Sequence, residues 1–219
     1  IASFELVDLP LIKTIAERHK PILMSTGMGT LEEISEALEV IKSTGNSQVL
    51  LFHCVSSYPA PTEQSNLRNI KFLKKEFDLE VIYFILLADY GLNDKNISFT
   101  KRKFQLLIKR LADYASIGIH PSYGSNTNFA KLPKEIKRLE GITKREVTKS
   151  RQHFLKLTLP ETYNQLADLG ITDDYTMGYA SAIGFRASIC SVFTFYNLDT
   201  ETILPIKIHP FAVMDATLL

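Results

Sequence analysis

The chain has 219 residues, enough for one large domain with a sizeable core or for two small ones. Apolar residues make up 45% and charged residues 22%, and 25 basic against 24 acidic side chains leave a formal net charge of +1. That balance, with no dense basic patch, argues against a nucleic-acid partner. The longest apolar run, VIYFILLA at Val81–Ala88, falls far short of the about 20 residues a membrane-spanning helix needs, so no membrane span is expected.

The opening IASFE has neither the basic region nor the apolar region of a signal peptide, and no initiator Met, which reads as a fragment or a processed product. Cys54 and Cys190 form no C-x-x-C pair, so reduced thiols and a cytoplasmic setting are expected.

Strand and helix then alternate. Ile1–Glu5 reads as a short strand. Leu11, Ile12, Ile15 and Ala16 share one face of a first helix. Pro21–Gly27 (PILMSTG) is the next strand. Thr30 and Glu33 fit a capping box, Leu31, Ile34, Leu38 and Ile41 form the apolar stripe, and Gly45 ends that helix. Val49–Cys54 (VLLFHC) is a strand, and Leu67, Ile70, Leu73 and Phe77 mark a helix before the strand VIYFILL. Phe104, Leu107, Ile108 and Leu111 define a helix leading into IGIH. Lys131–Arg151 is expected to be helical with a break at Gly141. HFLKL reads as a strand, and PETYNQLADLG as a helix with Pro160 near its start and Gly170 after its end. Shorter strand-like pieces follow: YTMGYA, SVFTFYNL and LPIKIHPF.

Repeated β-α-β units imply a parallel sheet with right-handed crossovers. With no G-x-G-x-x-G or P-loop, the expected fold is α/β, a TIM-like (β/α) barrel of seven or eight parallel strands forming one domain. Chemistry in such barrels lies at the C-terminal ends of the strands. Three of the 5 histidines fall there: His53, His120 and His209. Imidazole can bind metal or carry a proton near neutral pH, although a strand-end His can equally just bond loop backbone. Ser3, Ser25, Thr26, Ser56 and Ser57 also sit at strand ends. Several hydroxyls and loop amides facing one point can hold a phosphate or carboxylate, although Ser and Thr are common in turns for local reasons.

Two family resemblances enter at particular residues. IASFELVDLPLI, KPILMSTGMGTLEEI and LLFHCVSSYPAPTEQSNLRNI, within residues 1–81, closely resemble the middle of the sialic acid synthases. The resemblance implies a barrel enzyme that condenses phosphoenolpyruvate with an N-acetylated amino sugar, using manganese or magnesium. It places Ser3, Ser25, Ser56 and Ser57 at the phosphoenolpyruvate pocket. The chain departs from that family at VIYFILLADYG, where a Ser-Asp-His metal motif is expected.

From about Ile82 to Leu219, YFILLADYG, IGIHPSYGSN, SRQHFLKLTLPETYNQLADLGITDDYTMGYASAIGFRAS and IKIHPFAVMDATL resemble bacterial polysaccharide deacetylase-like (NodB-homology) proteins. The resemblance implies a distorted barrel that removes acetyl groups from N-acetylated sugars or polysaccharides with zinc. His120 matches its first metal histidine. The second, expected near Gly124, is absent, and Ser125 is the nearest oxygen donor. His209 matches its late catalytic acid, and Arg151 and Arg186 its orienting arginines. Its paired aspartates have no counterpart by motif, so Asp89 and Asp215 are candidate bases by position.

The chain thus reads as a chimera joined near Leu79–Tyr83, with three strands from one lineage and about five from the other. The expected function is a metal-dependent N-deacetylase-like hydrolase of bacterial cell-surface glycan biosynthesis. The alternatives are a synthase-like transferase acting on phosphoenolpyruvate, and a non-catalytic barrel, without metal, that binds a sugar or anion.

Overall fold

The computed structural model describes residues 1–27, 29–52, 68–78, 80–212 and 214. The chain divides between Leu79 and Glu80 into two compact units.

In the N-terminal unit, α1 (Leu9–Ala16) starts on the Asp8 side chain, which accepts from the Leu11 amide at 3.1 Å. Strand β1 is Ile22–Ser25 and β2 is Val49–Phe52, paired in parallel with Ile22 opposite Val49 and Ser25 opposite Phe52. Helix α2 (Leu31–Ser43) connects them and α3 (Arg68–Phe77) follows. The Thr30 capping box is formed in both directions: the Thr30 hydroxyl accepts from the Glu33 amide and the Glu33 carboxylate from the Thr30 amide. Gly45, at φ +79°, ends the helix in the left-handed conformation that glycine adopts without penalty. The apolar faces of α1 and α2 close over β1, burying Leu6, Ile12, Ala16, Ile22, Met24, Ile34, Ala37 and Ile41. Ile1–Glu5, expected as a strand, instead turns into a 3-10 helix at Ser3–Glu5, where the Glu5 side chain reaches back to the Ala2 amide.

The C-terminal unit holds β3 (Ile82–Ile85), α4 (Arg102–Ala112), β4 (Ser116–Ile119), α5 (Lys131–Thr143), β5 (Lys149–Ser150), α6 (Glu161–Asp168), β6 (Asp173–Asp174), β7 (Phe193–Asn197) and β8 (Thr202–Ile208). The strand order is β3-β4-β5-β6-β8-β7. All neighbours are parallel except β7 and β8, which are antiparallel. Ile85, Leu87, Ile108, Ile119, Leu139, Leu166, Ile206 and Ile208 are among its core residues.

The α/β expectation therefore holds, and the larger sheet is mixed where an all-parallel one is expected. Among the described residues there are two sheets, one of two strands and one of six, and the larger is mixed. The physical reason lies in chain length: Leu198–Glu201 is too short for the crossover that parallel strands need, so β7 and β8 form a hairpin. Two local expectations also change. Helix α5 runs through Gly141 and ends on Lys144, which takes the left-handed conformation itself (φ 57°, ψ 30°). HFLKL is not a strand but a 3-10 turn at His153–Leu155 followed by irregular chain. No helix among the described residues is long and apolar enough to cross a membrane.

Candidate functional site

In the N-terminal unit the predicted serines converge in part. Ser25 closes β1 and Ser3 lies in the turn before α1, and their hydroxyls are 2.8 Å apart. The Ser25 amide donates to the Ile1 carbonyl, which sets residues 1–3 alongside the strand. Thr26 is committed to β2, since both its amide and its hydroxyl donate to the Phe52 carbonyl at 2.9 Å. His53, Ser56 and Ser57 lie outside the described residues, as does Asp215.

In the C-terminal unit, parallel pairing brings the C-terminal ends of β3, β4, β5, β6 and β8 to one edge. Such an edge is where open α/β sheets bind ligands. His120 follows β4, Arg151 and His153 follow β5, Tyr175 follows β6 and His209 follows β8. Main-chain bonds fix them in place: His120 to the Ile85 carbonyl, Arg151 to Ile119, His153 to Pro121 and His209 to Asp174.

His120 Nδ1 bonds the Arg151 carbonyl, and a carbonyl only accepts, so Nδ1 carries the proton. Burial, then the neighbouring His153, lowers the His120 pKa to about 4. The ring is neutral at ordinary pH, with its second nitrogen an acceptor. His153 packs against it at 5.0 Å between centroids and donates from Nδ1 to Asp94 Oδ1 at 2.9 Å. The same Asp94 oxygen accepts the Tyr123 amide at 2.9 Å.

A second cluster adjoins the first through Arg151, which donates to the Tyr175 carbonyl at 2.9 Å and lies 4.3 Å over the Phe211 ring. The Tyr175 ring stacks on His209 at 4.2 Å. His209 Nε2 donates to Asp173 Oδ1 at 2.7 Å. Burial raises the Asp173 pKa, but hydrogen bonds from Thr172 and His209 and the charge of Lys149 outweigh it and hold the carboxyl below its usual range. A carboxylate that orients an imidazole in this way can position a proton donor or acceptor. Beneath the edge, Asp174 is fully buried, accepting from the Ser150, Thr176 and Tyr163 hydroxyls and the Thr176 amide. Burial holds its carboxyl above the usual range, and those bonds offset only part of that rise.

The remaining candidates fall elsewhere. Ser125 is buried and donates to the Ser122 carbonyl at 2.7 Å. Arg186 donates to the Leu155 carbonyl at 3.0 Å, bracing the His153 turn. Asp89 sits at the surface in a 2.6 Å ion pair with Arg138. Asp94, Asp173 and Tyr175 were not among the sequence candidates. Among the described residues no three His, Cys, Asp or Glu side chains form a metal-ligating group. The described residues thus supply no complete ligand set for the divalent metal that either resemblance implies.

Residues 1–84 match the model of the NeuB family. The chain is similar to the N,N'-diacetyllegionaminic acid synthase of Campylobacter jejuni, 44% identical over 85 residues, covering 38% of this chain and 25% of that protein. It is similar also to the spore coat polysaccharide biosynthesis protein SpsE of Bacillus subtilis, 32% identical over 147 residues, covering 67% of this chain and 38% of that protein. A crystal structure of N-acetylneuraminic acid synthetase from Leptospira borgpetersenii aligns with a TM-score of 0.40 at 24% identity, covering 66% of this chain and 49% of that one. The first segment is sialic acid synthase-like. The chain spans between a quarter and two fifths of the length of the two curated relatives. The deacetylase resemblance of residues 82–219, with its hydrolase chemistry and its zinc, has no support from these matches.

Proposed function

We propose that the chain acts in the biosynthesis of sialic-acid-type sugars, with the N-terminal unit contributing the phosphoenolpyruvate side of a synthase-type site. The observation that supports this reading is the 2.8 Å pairing of Ser3 and Ser25 at the end of β1, inside the segment that matches the NeuB family. One of the two hydroxyl protons is shared within the pair, so together the hydroxyls can offer at most one donor to an anionic group such as a phosphate or carboxylate. The other reactant on this reading is an N-acetylated amino sugar.

Phosphoenolpyruvate binding to the full chain, followed by calorimetry and by phosphorus NMR, tests the proposal. Saturable binding is expected. Ser25→Ala should weaken it about tenfold, the loss of one hydrogen bond to a charged group. Absence of binding overturns the proposal.

A further inference from the structure

The near-neutral total charge conceals a local asymmetry. Residues 95–112 hold Lys95, Lys101, Arg102, Lys103, Lys109 and Arg110 and no acidic side chain. The remaining 19 basic residues face all 24 acidic ones, so the rest of the chain carries a net −5. Five of the six cations lie on helix α4 or at its N-cap, Lys101. None of the six is held in an ion pair among the described residues.

The helix has two faces. Ile108 and Ala112 are buried, and Phe104 and Leu111 pack against the core of the C-terminal unit. The opposite face carries Leu106 and Leu107, 45% and 42% exposed. At helical spacing Arg102 and Lys103 lie one turn before this pair, and Lys109 and Arg110 one turn after it, all four exposed. Two leucines facing water are thus bracketed by two pairs of cations. Ile97, 58% exposed, precedes them on the loop that leads into the helix.

This face works against the helix's own stability. A helix N-terminus favours acidic side chains, yet the first turn of α4 has none, and Lys101, Arg102 and Lys103 stand there instead. Lys101 makes no side-chain capping bond. Helix α2 shows the ordinary arrangement, with Glu32 and Glu33 in its first turn and Lys42 in its last. No carboxylate among the described residues offsets the charge of α4, whereas a negative surface outside the chain would. A bilayer of anionic lipids supplies that charge and a place for the leucines as well. Leucine enters the boundary between headgroups and acyl chains, while lysine and arginine reach along their stems to the lipid phosphates. A nucleic-acid duplex offers the charge but no apolar layer.

We propose that the outer face of α4 docks the chain on anionic membrane surfaces, with Leu106 and Leu107 in the headgroup layer and Arg102, Lys103, Lys109 and Arg110 on the lipid phosphates. Docking of this kind lies beyond the proposed function and uses only the C-terminal unit, so it stands or falls separately from phosphoenolpyruvate binding.

The test is co-sedimentation of the full chain with vesicles of phosphatidylcholine alone and of phosphatidylcholine mixed with an equal part of phosphatidylglycerol. Wild type should bind the mixed vesicles at least about tenfold more tightly than the neutral ones, and less tightly as salt is raised. Lys103→Gln with Arg110→Gln should weaken that binding at least about tenfold. Leu106→Gln with Leu107→Gln should weaken it about tenfold. Both double variants change exposed positions and should keep the wild-type Tm. Because the chain has no Trp, Leu107→Trp is a probe of insertion, and its emission should shift to the blue on the mixed vesicles. Failure of wild type to bind the mixed vesicles, or equal binding to both kinds, overturns the proposal. So does binding that either double variant leaves unchanged. A Leu107→Trp emission that stays as it is in water overturns it too, and assigns the cations to a soluble polyanion such as nucleic acid.

Discussion

His120 supplies a prediction whose size follows from its surroundings. An ordinary histidine takes up a proton near pH 6.5, whereas His120 in the folded protein does so at about 4. Burial opposes the charge most. The adjacent His153 and Arg151 oppose it further, while the Arg151 carbonyl and Asp94 favour it. Between those two pH values the unfolded chain binds the proton and the folded chain does not, so stability falls as pH drops through the window. The gap of roughly 2.5 pH units, at about 1.4 kcal/mol each, amounts to about 3 kcal/mol lost between pH 7 and pH 4. Replacing the ring by an amide in His120→Asn keeps a donor for the Arg151 carbonyl and removes the titration. Glu135 and Asp174 shift in the opposite sense, so the informative quantity is the difference between wild type and variant at each pH. Urea unfolding can be followed by tyrosine fluorescence, since the chain has 9 Tyr and no Trp. The stability difference should move by about 3 kcal/mol between pH 7 and pH 4. Histidine NMR should place the His120 midpoint near 4. Parallel pH profiles for the two proteins, or a midpoint near 6.5, would refute the reasoning.

Three further outcomes follow from local geometry. A Cβ at Gly118 would lie 2.8 Å from the Lys149 carbonyl oxygen on the neighbouring strand, which cannot swing away as a side chain would. Gly118→Ala should therefore cost about 1–3 kcal/mol in chemical denaturation. Thr30→Ala removes the hydroxyl that accepts the Glu33 amide and should cost about 1 kcal/mol, read by the same method. Tyr163→Phe takes one donor from the buried Asp174 but leaves the Ser150 and Thr176 donors in place, so the loss should be close to 1 kcal/mol rather than several.

Much of the local structure was legible because it rests on short-range chemistry. The Thr30–Glu33 capping box and the helix-ending Gly45 and Gly170 involve residues within a few positions of one another. His120 and His209 were legible as strand-end residues because the apolar runs before them are unambiguous. Ser3 and Ser25 lie within hydrogen-bond distance, although periodicity alone puts Ser3 on a strand. The short Leu198–Glu201 link carries the signal for the β7–β8 hairpin, because it leaves no room for a parallel crossover. What could not be read was long-range. Asp94 reaches His153 across 59 positions, and Asp173 reaches His209 across 36. Nothing near GLNDKN or ITDDY marks either carboxylate as a partner. Asp89, chosen by its place after a strand, is drawn instead to Arg138. The Phe154 turn escaped because H-F-L looks like strand, and only packing on either side forces its left-handed backbone.

The central claim is that the Ser3–Ser25 pair belongs to a phosphoenolpyruvate-binding, synthase-type site, and one measurement addresses it directly. Phosphorus NMR of phosphoenolpyruvate titrated with the full chain should show a saturable shift, reduced about tenfold in apparent affinity by Ser25→Ala. A spectrum unchanged by the protein, or one shifted equally by wild type and Ser25→Ala, would contradict the account.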